Sequence, residues 1–304
     1  MTSCFLLHPP ERKLTEWMGS QSKAKLCLIG VLAVVVIAAL TGFGVRQRIK
    51  RRKMVLDHEI AVESDELLAW LRRGGGKAEA VRLQNFDHAG DAVRGLGATA
   101  AIAKGTVKRE DLFITTKISP KQCTREAALA AVQEDIKELG GLTPDLVLHH
   151  FPCERHHASG SNVKLWQGLQ DALKQGLTRS IGVSNYLEEH LTPVLAAGGV
   201  PPAVNQCQMS IGSHDDATIA FCKAHNITYE AYSPLKHLDF SDPRITAVAS
   251  AHKVQPAAVA LRWINQQGVV VATSPGSNRE YAVEDLAIGD FTLTDDEMAA
   301  LSKI

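Results

Sequence analysis

The residues of most chemical interest are polar side chains that follow short apolar runs. Lys117 closes the run 112–116, and His150 follows the run 146–149. Lysine and histidine side chains hold and transfer protons, and their pairing at one site favours catalysis over a solvated surface role. Hydroxyl, amide and aromatic side chains end three further runs and suit a polar, flat ligand. These are Ser184, Asn185, Gln206 and Tyr232.

Convergence of these groups requires an architecture in which many strands end on one face. In the segment 166–186, apolar residues recur at helical spacing, Gly176 follows where a left-handed C-cap belongs, and 179–183 forms a strand-length run. This unit repeats along the chain from residue 54 onward. Such alternation indicates parallel pairing, and seven clear strands with an eighth in question predict a closed (β/α)8 TIM barrel. An open doubly wound sheet is the alternative.

The alternation gives specific element boundaries. The predicted strands are 81–87, 112–116, 146–149, 179–183, 203–206, 227–232 and 269–272. The predicted helices are one capped by Ser64, then 98–104, 125–139, one starting at Trp166, 187–197, 218–225, 256–267, 279–286 and 295–302. Strand ends of a barrel open on the same face, so Lys117 and His150 are expected to meet the other polar groups there.

The composition excludes some classes of function. Lys plus Arg and Asp plus Glu number 33 each, so the balanced charge gives no support to nucleic-acid binding. The six cysteines are dispersed, with no CxxC pair. This pattern suits a reducing compartment and predicts no disulfides.

The first part of the chain differs from the rest. Residues 1–25 form a polar tail, and 26–45 is an apolar run without charge, long enough to cross about 30 Å of hydrocarbon. The segment 46–53 is strongly basic, so we expect a transmembrane helix with the domain 54–304 on the cytoplasmic side. Two alternatives are a buried helix, or a first barrel strand at 39–45.

The motifs around the polar groups resemble those of the aldo-keto reductase family. From about Lys108 to Ser302 the stretches KREDLFITTK, DLVLHHFP, GLTRSIGVSN, AVNQCQ, AYSPL and LTDDEMAAL occur in the family's order. Several independent motifs in the correct order are far more specific than any one alone. The resemblance weakens abruptly upstream of about residue 105, which leaves an aberrant N-terminal portion as one interpretation.

The resemblance implies a barrel that binds NADP, with NAD as the alternative, and reduces a small-molecule aldehyde or ketone. Lys117 and His150 then belong to the catalytic group, and Asp87 matches the family's aspartate if a short deletion is allowed. The matched cofactor-binding positions are Ser184, Asn185 and Gln206 for the nicotinamide carboxamide, Tyr232 for the ring, and Ser233 and Leu235 along the pyrophosphate. We expect a monomer.

The sequence departs from the family where the proton donor should lie. The chain has four tyrosines, and none falls in the segment 81–97. In the ungapped register Asn85 takes the aspartate position and Gly90 the tyrosine position. Loss of a general acid costs on the order of 10²–10⁴ in rate. We therefore expect impaired reduction, or alternatively a pseudoenzyme that binds cofactor or acts as a scaffold at a membrane.

The phosphate end of the cofactor site is also altered. Serines replace the family's lysine, which leaves Ser274, Ser277 and Arg279 as a possible anion site.

The set His150, Cys153, His156 and His157 matches no standard zinc spacing, so no metal is predicted. His149 is expected to point away from His150 and to be structural.

Overall fold

Seven parallel strands form the centre of the described chain. They are β1 (Val81–Leu83), β2 (Thr115–Ile118), β3 (Leu146–His149), β4 (Ser180–Ser184), β5 (Val204–Gln208), β6 (Thr228–Tyr232) and β7 (Val270–Thr273). Their order in the sheet is β1-β7-β6-β5-β4-β3-β2, and every pair is parallel. The sequential order and the pairing of the first strand with the last exclude a doubly wound sheet, whose order reverses. The curled sheet is that of an α/β barrel.

The structure is a computed structural model that describes residues 81–83, 99, 102–105, 108–153, 161–274 and 279–304. All of these belong to the compact unit Asp57–Ile304. The predicted tail 1–25, the predicted span 26–45, the alternative strand 39–45 and the segment around Asp87 and Gly90 lie outside the described residues. No helix in the described ranges is long and apolar enough to cross a membrane.

Helices follow the strands from β2 onward, and several of them begin at a side-chain N-cap. They are α1 (Arg125–Glu138), α2 (Asn162–Lys174), α3 (Glu188–Ala196), α4 (Asp216–Ala224), α5 (Pro243–His252), α6 (Pro256–Gln266), α7 (Arg279–Leu286) and α8 (Asp295–Leu301). The side chains of Thr124, Ser161 and Asp215 accept hydrogen bonds from backbone N–H groups in the first turns of α1, α2 and α4. Gly176 has a φ of 71°, which confirms the predicted left-handed turn after α2.

Strand residues alternate between the helix layer and the inner face of the sheet. Val147, Ile181 and Val183 belong to the main core cluster with Trp166 and Leu169 of α2. Their strand neighbours Leu146 and Leu148 pack separately with Val204. Gly182 leaves the inner face room, because a Cβ there would lie 2.6 Å from the Val204 carbonyl oxygen. Both faces of these strands are therefore buried, as is usual for parallel strands covered by helices.

Most predicted elements within the described residues agree with the structure to within a few residues, with two exceptions. The predicted helix capped by Ser64 and part of the predicted helix 98–104 lie outside the described residues. Strand β2 begins and ends later than predicted, so that Lys117 lies within the strand instead of after it. Phe113 belongs to the predicted run but is half exposed, so apolar residue type alone gave the wrong start for this strand. Helix α5 was not predicted, although Asp242 and Pro243 supply its N-cap and first turn.

The expectation of no disulfide is wrong. Cys123 and Cys153 form a disulfide across a sequence separation of 30, with their Cα atoms 5.8 Å apart. The physical reason is the pairing of β2 with β3, which leads both strands into adjacent loops and brings the two cysteines together. Cys207 and Cys222 are free and buried.

Asp145 connects β2 and β3 where these strands begin, whereas Lys117 and His150 lie where they end. Its carboxylate accepts hydrogen bonds from the Ile114 backbone N–H at 2.7 Å, from Arg109 at 2.8 Å and from Arg179 at 2.9 Å. Only 3% of the Asp145 side chain is exposed. A buried carboxylate with several charge-assisted partners leaves all of them uncompensated when it is removed.

We expect Asp145→Asn to lower the free energy of unfolding by about 2 kcal/mol, because two guanidinium groups lose their shared counter-charge. Chemical denaturation followed by tryptophan fluorescence measures this loss. The matched control is Asp171→Asn, which breaks the ion pair with the half-exposed Arg125 and should cost under about 1 kcal/mol. Equal losses in the two variants would contradict the role assigned to Asp145.

Candidate nicotinamide-binding site

The ends of β4 and β5 are joined by one backbone carbonyl. The Gln206 carbonyl oxygen accepts hydrogen bonds from Ser184 Oγ at 2.7 Å and from the Asn185 backbone N–H at 2.9 Å. Asn185 has a φ of 61°, a left-handed conformation that asparagine tolerates better than most residues. This turn directs the Asn185 side chain across the strand ends.

The Asn185 amide connects three strand ends. Its Nδ2 donates to the His150 carbonyl oxygen at 2.9 Å and to Ser184 Oγ at 3.0 Å. Its Oδ1 accepts a hydrogen bond from the Tyr232 hydroxyl at 2.8 Å. The structure therefore brings four of the predicted residues, from the ends of β3, β4 and β6, to one place.

Gln206 presents a buried amide at this place. The residue is fully buried, and neither its Nε2 nor its Oε1 has a hydrogen-bond partner among the described residues. A buried polar group without a partner costs roughly 1–3 kcal/mol, so such a group needs an explanation. An amide offers both donors and an acceptor, which is the complement of a ligand carboxamide. The donor set at this position therefore fits the nicotinamide of the expected cofactor.

Lys117 and Tyr232 extend the site toward β2. Lys117 is 5% exposed, and its Nζ lies 5.9 Å from the centroid of the Tyr232 ring. His150, which follows β3, stacks on Phe151 with ring centroids 4.7 Å apart and an interplanar angle of 25°. Lys117 therefore lies near the Tyr232 ring, whose hydroxyl binds Asn185 Oδ1, and His150 meets the Asn185 amide through its backbone carbonyl.

The other predicted site residues are only partly placed by the structure. Ser233 is exposed and has a φ of 53°, and Leu235 packs at the edge of the core. Ser274 is exposed directly after β7. Arg279 begins α7, but its side chain and the whole of Asp87 lie outside the described residues. These positions remain predictions.

A second network behind the strand ends was not predicted. Tyr186 is fully buried, and its hydroxyl lies 2.8 Å from His149 Nδ1 and 3.0 Å from Asn162 Oδ1. Asn205 brackets the Tyr186 backbone, donating to its carbonyl at 2.8 Å and accepting from its N–H at 3.3 Å. His149 is therefore structural and faces the helix side, as predicted. Strand alternation is the signal that placed His149 and could have placed Asn205.

The four tyrosines of the chain all lie within the described residues, in four different surroundings. The hydroxyls of Tyr186 and Tyr232 are bonded as described above, and Tyr281 is exposed on α7. Tyr229 lines a cavity of about 520 Å³ beside the site, together with Cys207 and Asn185. Burial raises the pKa of Cys207 to about 12 and also raises the pKa of Tyr229. Both groups therefore stay protonated near neutral pH.

A buried carboxyl group lies at the end of β7, near the predicted phosphate end. Burial and the neighbouring Glu284 raise the pKa of Asp285 to about 6, although a hydrogen bond from Thr273 opposes the shift. Thr273 is the last residue of β7 and precedes Ser274. Sequence patterns gave no signal for this group, because its burial depends on how α7 packs.

Metal-ligating side chains come together at one position in the described residues. Cys123, His149 and Cys153 are buried, and their potential ligand atoms lie within 4.8 Å of one another. The two sulfur atoms are bonded to each other, so they are not available as thiolate ligands. His150 does not belong to this group, and His156 and His157 lie outside the described residues.

These features define a parallel α/β barrel with a polar ligand-binding site at its strand ends, the location of active sites in barrel enzymes. The chain belongs to the aldo/keto reductase family, whose model matches residues 96–304. This assignment confirms the resemblance found in the motifs and the oxidoreductase class. Members of the family act on small-molecule carbonyl substrates.

Individual relatives support the same assignment. The chain is 32% identical over 224 residues to aldo-keto reductase AKR2E4 of Bombyx mori, covering 69% of this chain and 72% of the relative. It is 39% identical over 202 residues to an aldo-keto reductase of Mycolicibacterium vanbaalenii, covering 66% and 71%. The crystal structure of the Bombyx mori AKR2E4 in complex with NADP superposes with a TM-score of 0.70 at 26% identity, covering 83% of this chain and 82% of the other.

Proposed function

We propose that this protein binds NADP(H) at the strand ends and reduces a small aldehyde or ketone, with turnover impaired by the missing tyrosine. The observation that carries the proposal is the buried Gln206 amide, whose polar atoms have no partner among the described residues. Ser184, Asn185 and Tyr232 lie around the same strand ends and supply a hydroxyl, an amide and an aromatic ring. These are the groups that recognise a carboxamide-bearing ring.

The choice of NADP over NAD rests on relatives and on the phosphate end. The Bombyx mori structure contains NADP, which supports the same cofactor here. In this chain Ser274, Ser277 and Arg279 would receive the phosphate through hydroxyl and guanidinium donors. Because the family's lysine is replaced by a serine, discrimination between the two cofactors is expected to be weak, and NAD is the alternative.

Carbonyl reduction requires a hydride and a proton, and the nicotinamide supplies the hydride when it is bound. Lys117 and His150 carry the polar groups that would orient and polarise the carbonyl oxygen, with Asp87 as the partner of the lysine. A proton donor close to the carbonyl oxygen is the missing component. Its loss is expected to lower the rate by a factor on the order of 10²–10⁴.

A pseudoenzyme is the second candidate, and one observation favours it. The hydroxyls of Tyr186 and Tyr232 are held by other side chains, and burial raises the pKa of Tyr229, which makes its hydroxyl a weaker proton donor. A barrel that retains the Gln206 site without an acid would bind the cofactor and leave it unreacted. Such a protein would act as a cofactor-binding or scaffold protein at a membrane.

The proposed membrane location rests on the sequence alone. We propose that residues 26–45 span the membrane, that the basic segment 46–53 stays on the cytoplasmic side, and that residues 54–304 form a monomeric barrel there. Closure of the barrel by an eighth strand belongs to the same proposal. No described residue contributes to the span.

Gln206→Leu tests the cofactor site. We expect about tenfold weaker NADPH binding in a tryptophan fluorescence titration, because roughly 1.4 kcal/mol of hydrogen bonding is removed. The free energy of unfolding should stay equal or rise, since leucine replaces a buried amide that has no protein partner among the described residues.

The matched control is Gln208→Leu on the same strand, whose amide is already bonded to Ser210 and Ser213. It should leave NADPH binding unchanged and lower stability. If the native chain fails to bind NADPH at millimolar concentration, the proposed function is wrong.

Gly90→Tyr tests the missing acid. If the ungapped register is correct, we expect NADPH oxidation with an aldehyde panel to rise by a factor on the order of 10²–10⁴, because the phenol restores a proton donor. Gly90→Phe has the same ring without the hydroxyl and should give no gain. Equal rates in the two variants would contradict this register.

Carbonate extraction of the full-length chain tests the membrane span. The chain should remain in the membrane pellet, whereas a variant with Val34→Arg and Val36→Arg should be released, because each central arginine costs about 2.5–3.5 kcal/mol in a spanning helix. Recovery of the native chain in the soluble fraction would contradict the span.

A further inference from the structure

The Cys123–Cys153 disulfide joins the two loops that follow the strands carrying Lys117 and His150. Cys123 lies in the loop between β2 and α1, and Cys153 lies in the segment after β3. The Cys123 carbonyl oxygen also accepts the Ser161 backbone N–H at 3.1 Å, directly before α2. The bond therefore fixes the exits of two neighbouring strands whose side chains are expected to act on the substrate.

Hydrogen bonds connect this disulfide to the tyrosine behind the site. A ring nitrogen of His149 lies within 4.8 Å of both sulfur atoms, and His149 Nδ1 lies 2.8 Å from the Tyr186 hydroxyl. Asn162 Oδ1 accepts from the Cys153 backbone N–H at 2.9 Å and from the Tyr186 hydroxyl at 3.0 Å. The Asn162 side chain therefore joins the Cys153 backbone to the Tyr186 hydroxyl.

Tyr186 is in turn joined to the cofactor-binding side. It follows Asn185 in the chain, and Asn185 Nδ2 holds the His150 carbonyl oxygen at 2.9 Å. His150 lies between His149 and Cys153 on the same short segment. The disulfide and the Gln206 site are therefore connected through two backbone segments. One follows β3 and contains His150 and Cys153, and the other follows β4 and contains Asn185 and Tyr186.

We propose that Cys123 and Cys153 form a redox switch that sets the affinity of the strand-end site for NADP(H). In the oxidised state the disulfide keeps the segment after β3 where the His150 carbonyl oxygen accepts a hydrogen bond from Asn185 Nδ2. In the reduced state the loops after β2 and β3 separate, and the cofactor binds more weakly. The inference rests on the proposed function, because NADPH affinity is its readout.

The switching step is a thiol–disulfide exchange with a dithiol reductant. One thiolate of the dithiol attacks a sulfur of the pair and forms a mixed disulfide, and its second thiol then displaces the remaining cysteine. Cys123 and Cys153 gain two electrons and two protons, and the dithiol becomes a disulfide. Both cysteines are 1% exposed, so the exchange requires local opening of the two loops.

The expected size of the effect follows from coupling between two sites. Allosteric factors are typically about 5–150-fold, and we expect roughly tenfold weaker NADPH binding after reduction. Linkage requires the reverse effect as well, so that NADPH makes the disulfide harder to reduce by the same factor. A tenfold change corresponds to a decrease of about 30 mV in the reduction potential of the pair.

The experiment compares oxidised and dithiothreitol-reduced full-length protein, with EDTA present. Differential alkylation and mass spectrometry identify the state of Cys123 and Cys153, and tryptophan fluorescence gives the dissociation constant for NADPH. A dithiothreitol redox titration with and without NADPH then gives the shift in reduction potential. This second measurement uses the native chain, so it does not depend on a variant that folds.

Two variants complete the design. The double variant C123S/C153S should bind NADPH like the reduced chain and lose its response to dithiothreitol. C222A removes another fully buried cysteine, on α4, and should keep the full response.

Several outcomes would overturn the inference. One is equal NADPH affinity in the two redox states, which would leave the proposed function intact. Another is alkylation of both cysteines without prior reduction. Stoichiometric binding of zinc by the reduced chain in the absence of EDTA would show a metal site formed with His149 in place of a switch. Absence of NADPH binding in both states would overturn the proposed function, and this inference with it.

Discussion

The site depends on the two hydrogen bonds that the Gln206 carbonyl oxygen accepts from the end of β4. They fix Ser184 and Asn185 against β5. As a result the side chains of Asn185 and Tyr186 lie on opposite sides of the sheet. Asn185 then organises the side on which Tyr232 and Lys117 lie, while Tyr186 organises the helix side with His149. A single backbone carbonyl group therefore positions both the proposed cofactor site and the network that leads to the disulfide.

The sequence predicts those parts of the fold that depend on local patterns. Strand β3 matches its predicted bounds because residues 146–149 are continuously buried. The predicted bounds of strand β2 start too early, because the apolar run includes Phe113, which is half exposed and lies before the strand. The convergence of Ser184, Asn185, Gln206 and Tyr232 could be predicted because parallel strands of a barrel end on one face.

Features that depend on which strands are neighbours could not be predicted in the same way. The Cys123–Cys153 bond follows from the pairing of β2 with β3, and no spacing rule joins cysteines so far apart in the chain. The burial of Asp285 depends on how α7 packs near β7. The burial of the Gln206 amide likewise depends on how the neighbouring strands and loops pack, whereas its residue type was visible in the motif.

The left-handed conformation of Asn185 has a consequence for how the chain can change during evolution. Its φ of 61° is costly for β-branched or bulky residues, so the backbone restricts this position before any ligand does. Replacement of Ser184 or Asn185 would also remove a contact that closes β4 against β5, so the fold constrains this pair apart from any role in catalysis. The Ser184-Asn185 pair therefore indicates that β4 and β5 are joined at their ends, and this holds whether or not the reductase reaction takes place.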